Sequence, residues 1–263
     1  MHDIAFIVAG FFVGIVVGLT GVGGGSLMTP ILIFFFGVKP YMAVGTDLLF
    51  AAFTKLGGTV KMARSGQVEW RVVAHLSAGS IPAALATLWL LKTLGPADAA
   101  VQRLMTSTLG VALLLTAAAT LYKALRGKTA PQRIAAGQEK LATTARHWSL
   151  PLLFGALIGT LVSITSVGAG AIGVTVLMLL YPLLPLPRIV AADIAYAVPL
   201  TLVAGAGHAS LGSVDWSMLG LLLAGSLPGI WLGSHFMSRV PERLIRSLLS
   251  VLLAYAGTKL IIL

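Results

Sequence analysis

Only two of the eight acidic residues in this 263-residue sequence lie inside long apolar stretches. They are Asp47 and Asp193, and an offset of 146 positions relates them. A carboxylate at membrane depth is costly unless it is paired, protonated or faces water. Such residues couple protons or cations to transport, or they fix one helix against another. Two interpretations therefore stay open: a coupling or gating role, and capping of a broken helix through its backbone N–H groups.

A lysine lies in the middle of the same apolar segment as the first aspartate. Lys55 follows Asp47 by eight positions, and Thr54 follows it by seven, almost on the same face of a helix. Lys55 can neutralise an anion or pair with Asp47, and the alternative is a lysine that extends its ammonium towards the membrane surface or makes a helix-packing contact. The equivalent position in the second half is Thr201. We predict Lys55 as an anion ligand, and the two aspartates with Thr54 and Thr201 as coupling or gating residues.

Two glycine-rich stretches interrupt apolar runs at matching places: Gly21-Val-Gly-Gly-Gly-Ser26 and Ser166-Val-Gly-Ala-Gly170. Each glycine costs about 1 kcal/mol in a helix relative to alanine. Broken backbone persists at membrane depth only where it is buried in protein or lines a cavity. The helix N-termini that follow offer free N–H groups to an anion. The predicted anion ligands are Gly23, Gly24, Gly25, Ser26, Lys55, Ser166, Gly168 and Gly170. The alternative is tight helix crossing through small residues, without a ligand.

The composition indicates that these residues lie in a membrane protein. Hydrophobic residues make up 57% of the chain and charged residues 10%, and the mean hydropathy is +0.97. The net charge is +10, and the charged residues lie between the apolar segments. Their placement therefore indicates membrane topology and not nucleic-acid binding. Cysteine is absent, which excludes disulfides and thiolate metal sites. We find no nucleophile–base pair, metal-ligand spacing or phosphate loop, so we predict no enzyme activity, cofactor or metal.

The apolar segments form two similar halves. They cover about 4–20, 27–38, 41–63, 72–94, 103–122, 149–165 and 171–184, and three more begin near 188, 215 and 243. Gly66-Gln-Val-Glu-Trp70 corresponds to Gly212-Ser-Val-Asp-Trp216, and Ala78-Gly-Ser-Ile-Pro82 to Ala224-Gly-Ser-Leu-Pro228. The segment between the halves has six basic residues and one acid, which is typical of a cytoplasmic loop. With this loop in the cytoplasm, every basic cluster lies on the cytoplasmic side of the membrane. Corresponding segments of the two halves then cross the membrane in opposite directions.

The predicted fold is therefore an all-α polytopic membrane protein built from two inverted-topology repeats. Each repeat has about four to five helical segments and starts with a broken or re-entrant helix. Residues 1–122 form the first transmembrane repeat, 123–147 the basic cytoplasmic loop and 148–263 the second repeat. Spaced glycines such as Gly10, Gly14 and Gly18 are predicted to pack helices closely. His208 is predicted to be an interior or rim histidine and not a ligand.

Three features together resemble the TauE/SafE family of sulfite exporter-like permeases. They are the run from Gly18 to Pro30 around the first break, Val44-Gly-Thr-Asp47, and the paired Trp and Pro strings described above. The resemblance covers essentially the whole chain apart from the central loop. It implies export of sulfite, sulfonates such as sulfoacetate, or other sulfur-containing organic anions across the bacterial inner membrane. The second half departs from the pattern, with Ser166-Val-Gly-Ala-Gly170 in place of the triple glycine.

The sequence thus predicts a multi-pass secondary transporter of the inner membrane that exports a small sulfur-containing oxyanion. Alternating access would operate at a site in mid-membrane, between the two glycine breaks. The alternative is a cation-coupled importer, or a channel-like uniporter for another small anion. The predicted partners are the lipid bilayer, the anion, and protons or sodium as the coupling ion. The sequence does not specify the oligomeric state.

Overall fold

The computed structural model describes residues 2–20, 25–126, 149–236 and 242–262, and in these ranges the chain forms helices and no strands. The prediction of an all-α protein is confirmed. Gly23, Gly24 and most of the predicted cytoplasmic loop lie outside the described residues. In chain order the described helices are α1 His2–Thr20, α2 Gly25–Phe36, α3 Pro40–Arg64, α4 Trp70–Leu94, α5 Ala99–Arg126, α6 Ser149–Thr165, α7 Ala171–Leu180, α8 Leu186–Ser210, α9 Trp216–Phe236 and α10 Glu242–Ile262.

Five of these helices, α4, α5, α8, α9 and α10, are long and apolar enough to cross a membrane. Helix α3 has 25 residues, as many as α4, but it contains four charged side chains. Two of the four, Asp47 and Lys55, are buried in the protein. The charges therefore reduce the hydropathy of α3 while its mid-helix polar groups face other helices and not lipid.

Two of the helices are short, as the sequence predicted. Helix α2 has 12 residues and α7 has 10. At 1.5 Å per residue they span about 18 Å and about 15 Å, less than a hydrocarbon core of about 30 Å. Each follows one of the glycine-rich stretches. Because each half-helix is too short to cross the membrane, one of its ends lies at membrane depth, where a buried site can form.

The predicted packing glycines bring α1 and α9 together. Gly10 and Gly14 of α1 lie against the backbone of Leu222 and Ser226 in α9. The contact positions advance by four residues on both helices, so α1 and α9 run parallel. Small residues let helix backbones approach this closely in a membrane, where van der Waals packing and not hydrophobic burial holds helices together.

An equivalent contact joins α4 and α6. Gly155 and Gly159 of α6 lie against the backbone of Leu76 and Ser80 in α4, again in a parallel sense. Under the offset of 146, Ser80 corresponds to Ser226. The first helix of each half therefore packs on the fourth helix of the other half, in a reciprocal exchange.

Helices α3 and α8 cross at the centre of the bundle. Gly45 lies near His208, and Gly58 lies near Ile194, so positions rise along α3 while they fall along α8. The two helices are antiparallel, and α5 and α10 pack in the same antiparallel sense. These directions are the ones that two inverted repeats require, and they support that repeat, which stays a prediction.

Candidate functional site

Polar side chains from both halves meet between α3, α8 and the two half-helices. We call this the central polar cluster, and its members are Thr29, Asp47, Lys55, Ser166, Asp193 and the carbonyl of Ala169. The exposed fraction is 0% for Asp47, 7% for Lys55 and 1% for Asp193. All three charged groups are thus enclosed by protein, which is the arrangement that a charged residue at membrane depth requires.

In the first half, Asp47 contacts the half-helix α2. The hydroxyl of Thr29 donates a hydrogen bond to Asp47 Oδ2, and the backbone N–H of Thr29 also faces this carboxylate. The Ser166 hydroxyl lies next to the same carboxylate without the geometry of a hydrogen bond. Asp47 therefore ties α3 to α2, and it lies beside the glycine break of the other half.

In the second half, Asp193 contacts the half-helix α7. Its Oδ1 lies against Gly173 in the first turn of α7, so closely that a Cβ at this position would overlap the oxygen. Each aspartate thus lies against the half-helix of its own half. This placement supports a structural interpretation for both aspartates, and the coupling role stays a proposal.

Lys55 joins the two halves. Its Nζ donates a hydrogen bond to the carbonyl of Ala169, at 3.4 Å, in the second glycine break. Asp193 and Asp47 also lie near enough to this ammonium for their charges to act on it. The sequence left pairing with Asp47 open as one alternative for Lys55 and did not indicate that Asp193 lies nearby, because this depends on how α3 packs against α8.

The second break departs from helical geometry at three positions. The φ angles are +60° at Ser166, +139° at Gly168 and +129° at Gly170. Gly170 is the N-cap of α7 and has a φ that L-residues rarely adopt, and the N–H of Val174 donates a hydrogen bond to its carbonyl. A serine with positive φ is uncommon, and such residues persist where the surrounding structure requires them, often at functional sites.

The first break is described only from Gly25, where α2 begins. Ser26 is buried in the first turn of this helix. The predicted ligands Gly23 and Gly24 lie outside the described residues. Ser166, Gly168 and Gly170 of the second break, by contrast, lie in the same region as Lys55, which contacts Ala169 between them.

The two predicted threonines bond within their own helices. Thr54 donates its hydroxyl to the carbonyl of Phe50 at 2.9 Å, and Thr201 donates to that of Ala197 at 2.7 Å. Such bonds are the usual arrangement for threonine inside a helix. The structure therefore brings neither hydroxyl to a carboxylate of the central polar cluster by a hydrogen bond.

Sequence reasoning missed Tyr196 and Ser80 at the edge of the cluster. Both are fully buried, and the Tyr196 hydroxyl lies beside the Ser80 hydroxyl. Tyr196 follows Asp193 by three positions, which places both on one helix face and was the available signal. Its repeat equivalent is Phe50, so the first half has no hydroxyl at the matching position.

His208 is an interior histidine, as predicted. It is fully buried in α8, and its Nε2 lies 2.9 Å from the carbonyl oxygen of Ser163 in α6. This contact is a helix-to-helix hydrogen bond between a ring nitrogen and a backbone group. His208 therefore contributes to the packing of α6 on α8.

The described helices define a class of protein. A bundle of membrane-length helices with two half-helices and a buried charged cluster between them has the architecture of a membrane transporter. The family model described as sulfite exporter TauE/SafE matches residues 6–260, and the chain belongs to this family.

The curated relatives of the chain are also named as membrane transporters. The chain is 34% identical to the probable membrane transporter protein YjnA of Bacillus subtilis (strain 168) over 260 residues, which covers 98% of this chain and 100% of the relative. It is 28% identical to the probable membrane transporter protein YdhB of the same organism, with 95% and 97% covered. No solved structure matches the chain significantly.

Proposed function

We propose that this transporter exports a small sulfur-containing oxyanion, sulfite or an organosulfonate such as sulfoacetate. The observation that carries the proposal is the position of Lys55, a buried ammonium that contacts the backbone of a glycine break. A buried cation beside an interrupted helix gives an anion both a charge partner and backbone donors. The family description supports sulfite as the first candidate substrate.

In this proposal the anion binds where the two halves meet. The N-terminus of α7 carries partial positive charge, and the glycines of the break let an oxyanion approach the backbone. The hydroxyls of Ser166 and Ser26 add hydrogen-bond donors, and Lys55 supplies the full charge. One half would then rock against the other around this fixed site, opening it to either side in turn.

The proposal also covers the direction of anion transport and its coupling to an ion. In the bacterial inner membrane, with the central loop cytoplasmic, the membrane potential favours the exit of an anion by about 2.3 kcal/mol per charge per 100 mV. Asp47 or Asp193 would take up a coupling proton or gate the site. The competing proposal is a sodium-coupled importer or a uniporter, because carboxylates and broken-helix carbonyls also bind cations.

Binding and flux measurements test the proposal directly. Purified protein is screened against sulfite, sulfonates, thiosulfate and carboxylates by calorimetry, and the ligands found are then followed in liposomes with and without a proton or sodium gradient. We expect a sulfur oxyanion to bind and to cross without sodium. Flux that depends on a sodium gradient, or binding of carboxylates alone, would support the competing proposal instead.

Substitution of Asp47 by asparagine tests the coupling role. Asparagine retains an oxygen that accepts the hydrogen bond of Thr29, but it cannot exchange a proton. We therefore expect Asp47→Asn protein to fold, and its anion flux to lose the pH dependence of the wild type. The measurement is initial flux in liposomes between about pH 5.5 and pH 8, a range of about 2.5 pH units that includes neutrality.

The matched control for this substitution is Asp98→Asn. Asp98 accepts a hydrogen bond from the backbone N–H of Ala100 at an exposed helix start, where asparagine caps equally well. This variant should show the wild-type pH profile. Flux of the Asp47→Asn protein that matches the wild type at every pH removes Asp47 from coupling.

A further inference from the structure

We propose that the ion pair between Glu69 and Arg188 is a gate, and that its breaking opens one end of the bundle to the central polar cluster. This rests on the proposed function, because a gate requires a transported solute. Glu69 and Arg188 are positioning residues in this proposal: they control access to the cluster and do not bind the transported anion there.

The ion pair joins the two halves. Glu69 lies in the turn 65–69 between α3 and α4, and Arg188 lies in the first turn of α8, five positions or about 7.5 Å before Asp193. Arg188 Nη1 and Glu69 Oε1 are 2.7 Å apart, and the exposed fractions of the two side chains are 33% and 19%. Water therefore reaches both groups. An ion pair in contact with water contributes little to stability, so this one can break and re-form within a transport cycle.

The opposite end of the bundle is closed by backbone. Here the turn 211–215, the repeat equivalent of 65–69, packs on the start of α3. The backbone N–H of Asp215 donates a hydrogen bond to Thr46 Oγ1 at 3.0 Å. A Cβ on Gly45 would overlap the carbonyl oxygen of Ser213, so α3 and this turn are in direct backbone contact.

The end with the ion pair lacks the residues for such a contact. The repeat equivalents of Gly45 and Thr46 are Ala191 and Ala192. A Cβ at Ala191 prevents the close approach that Gly45 allows, and Ala192 has no hydroxyl to accept a hydrogen bond. Side chains can rotate apart while a helix backbone stays fixed. The end that is joined by the ion pair should therefore open more easily than the end that is closed by backbone.

The acids at the two ends also have different roles. Asp215 accepts a hydrogen bond from the backbone N–H of Met218 at 2.9 Å, so it caps its own helix, α9. Glu69 occupies the equivalent place before α4, but its side chain makes no cap hydrogen bond and pairs with Arg188. The acid at this end thus serves the contact between the halves.

The gate lies at the end of the bundle that the basic residues predict to be cytoplasmic. Lys61, Arg64 and Arg71 flank the turn 65–69, and all three are exposed. An exported anion enters from this end, where the basic side chains increase its local concentration. A gate here would control the loading of the central polar cluster.

Cysteine accessibility tests the gate without any substrate. The chain has no cysteine, so Ser166→Cys places a single thiol in the central polar cluster. Membrane vesicles of either orientation are treated with a membrane-impermeant maleimide, and the labelling rate is measured from each face. In this background, Glu69→Gln should increase labelling from the face of the ion pair by about fivefold, the low end of the usual coupling between sites. Labelling from the other face should not increase.

Two further variants and a control accompany this measurement. Arg188→Gln breaks the pair from the other side and should have the same effect, whereas the exchange Glu69→Arg/Arg188→Glu should return labelling towards the wild-type rate. Asp215→Asn is the matched control, because it changes the repeat equivalent of Glu69 and asparagine retains the cap. It should change labelling from neither face. Gln67→Cys, exposed in the same turn, identifies the face on which the ion pair lies.

The gate is overturned by unchanged labelling, by equal increases from both faces, or by an exchange variant that labels as fast as Glu69→Gln. Expected labelling without any flux of a sulfur oxyanion in liposomes would mean that the proposed function fails and the gate stands. Flux of sulfite together with wild-type labelling in Glu69→Gln would mean that the gate fails and the proposed function stands.

Discussion

Replacement of Gly14 by valine should leave little folded protein. A Cβ at Gly14 would approach the Cα of Ser226 to 2.8 Å and overlap the carbonyl of the same residue, and backbone atoms cannot rotate away. Overpacking of this kind costs about 3 kcal/mol or more. Because α1 packs mainly on α9, we expect the substitution to destabilise the whole interface between these two helices. The measurement is the yield of monodisperse protein in detergent and its melting temperature.

Gly220→Val is the control for this prediction. Gly220 lies on α9, the same helix that receives α1, and nothing lies within 4 Å of a Cβ built there. This variant should be purified at close to wild-type yield. Gly159→Val, whose Cβ would meet the backbone of Ser80, should behave as Gly14→Val does, because the two contacts are reciprocal. Equal yields for the Gly14 and Gly220 variants would show that close approach of α1 and α9 is not required.

Replacement of Gly170 by alanine should reduce transport by about tenfold or more while the protein still folds. The backbone at Gly170 has φ +129° and ψ −102°, a conformation that costs an alanine of order 1–3 kcal/mol. The chain would relieve this strain by moving the start of α7, and with it the neighbouring Ala169 carbonyl that accepts the hydrogen bond of Lys55. Anion flux in liposomes and melting temperature are measured side by side.

Gly212→Ala provides the comparison. Gly212 has φ +69° in the turn between α8 and α9, with open space around it, so alanine there meets conformational strain without touching the central polar cluster. We expect a small loss of stability and normal flux. If both variants lost flux equally, the effect would come from general destabilisation and the second break would have no special role in transport.

Residue type and spacing were enough to predict several features of the site. Asp47 and Asp193 are the acids inside apolar stretches, and both are buried in the central polar cluster. The spacing of Gly10 and Gly14 predicted a close helix contact, which the structure shows. These features depend on local patterns along the chain. An acid in an apolar run must face protein, and glycines four apart form one smooth face.

Contacts between different helices could not be predicted in this way. The hydrogen bond from Lys55 to Ala169, the bond from Thr29 to Asp47 and the position of Tyr196 beside Ser80 each require knowledge of which helix packs on which. Thr54 lies near the face of Asp47 by helical periodicity, yet its hydroxyl bonds to its own helix. Periodicity gives the direction of a side chain and not its partner.

The sequence by itself determined that this protein is a helical membrane protein with two interrupted segments, and which charged residues lie within them. Hydropathy, glycine spacing and the internal repeat are properties of neighbouring residues, so they can be identified along the chain. Only the tertiary structure decided that the first helix of each half packs on the fourth helix of the other, and that Lys55 reaches the second break. Those contacts join residues that are far apart in sequence, and their geometry depends on the packing of the whole bundle.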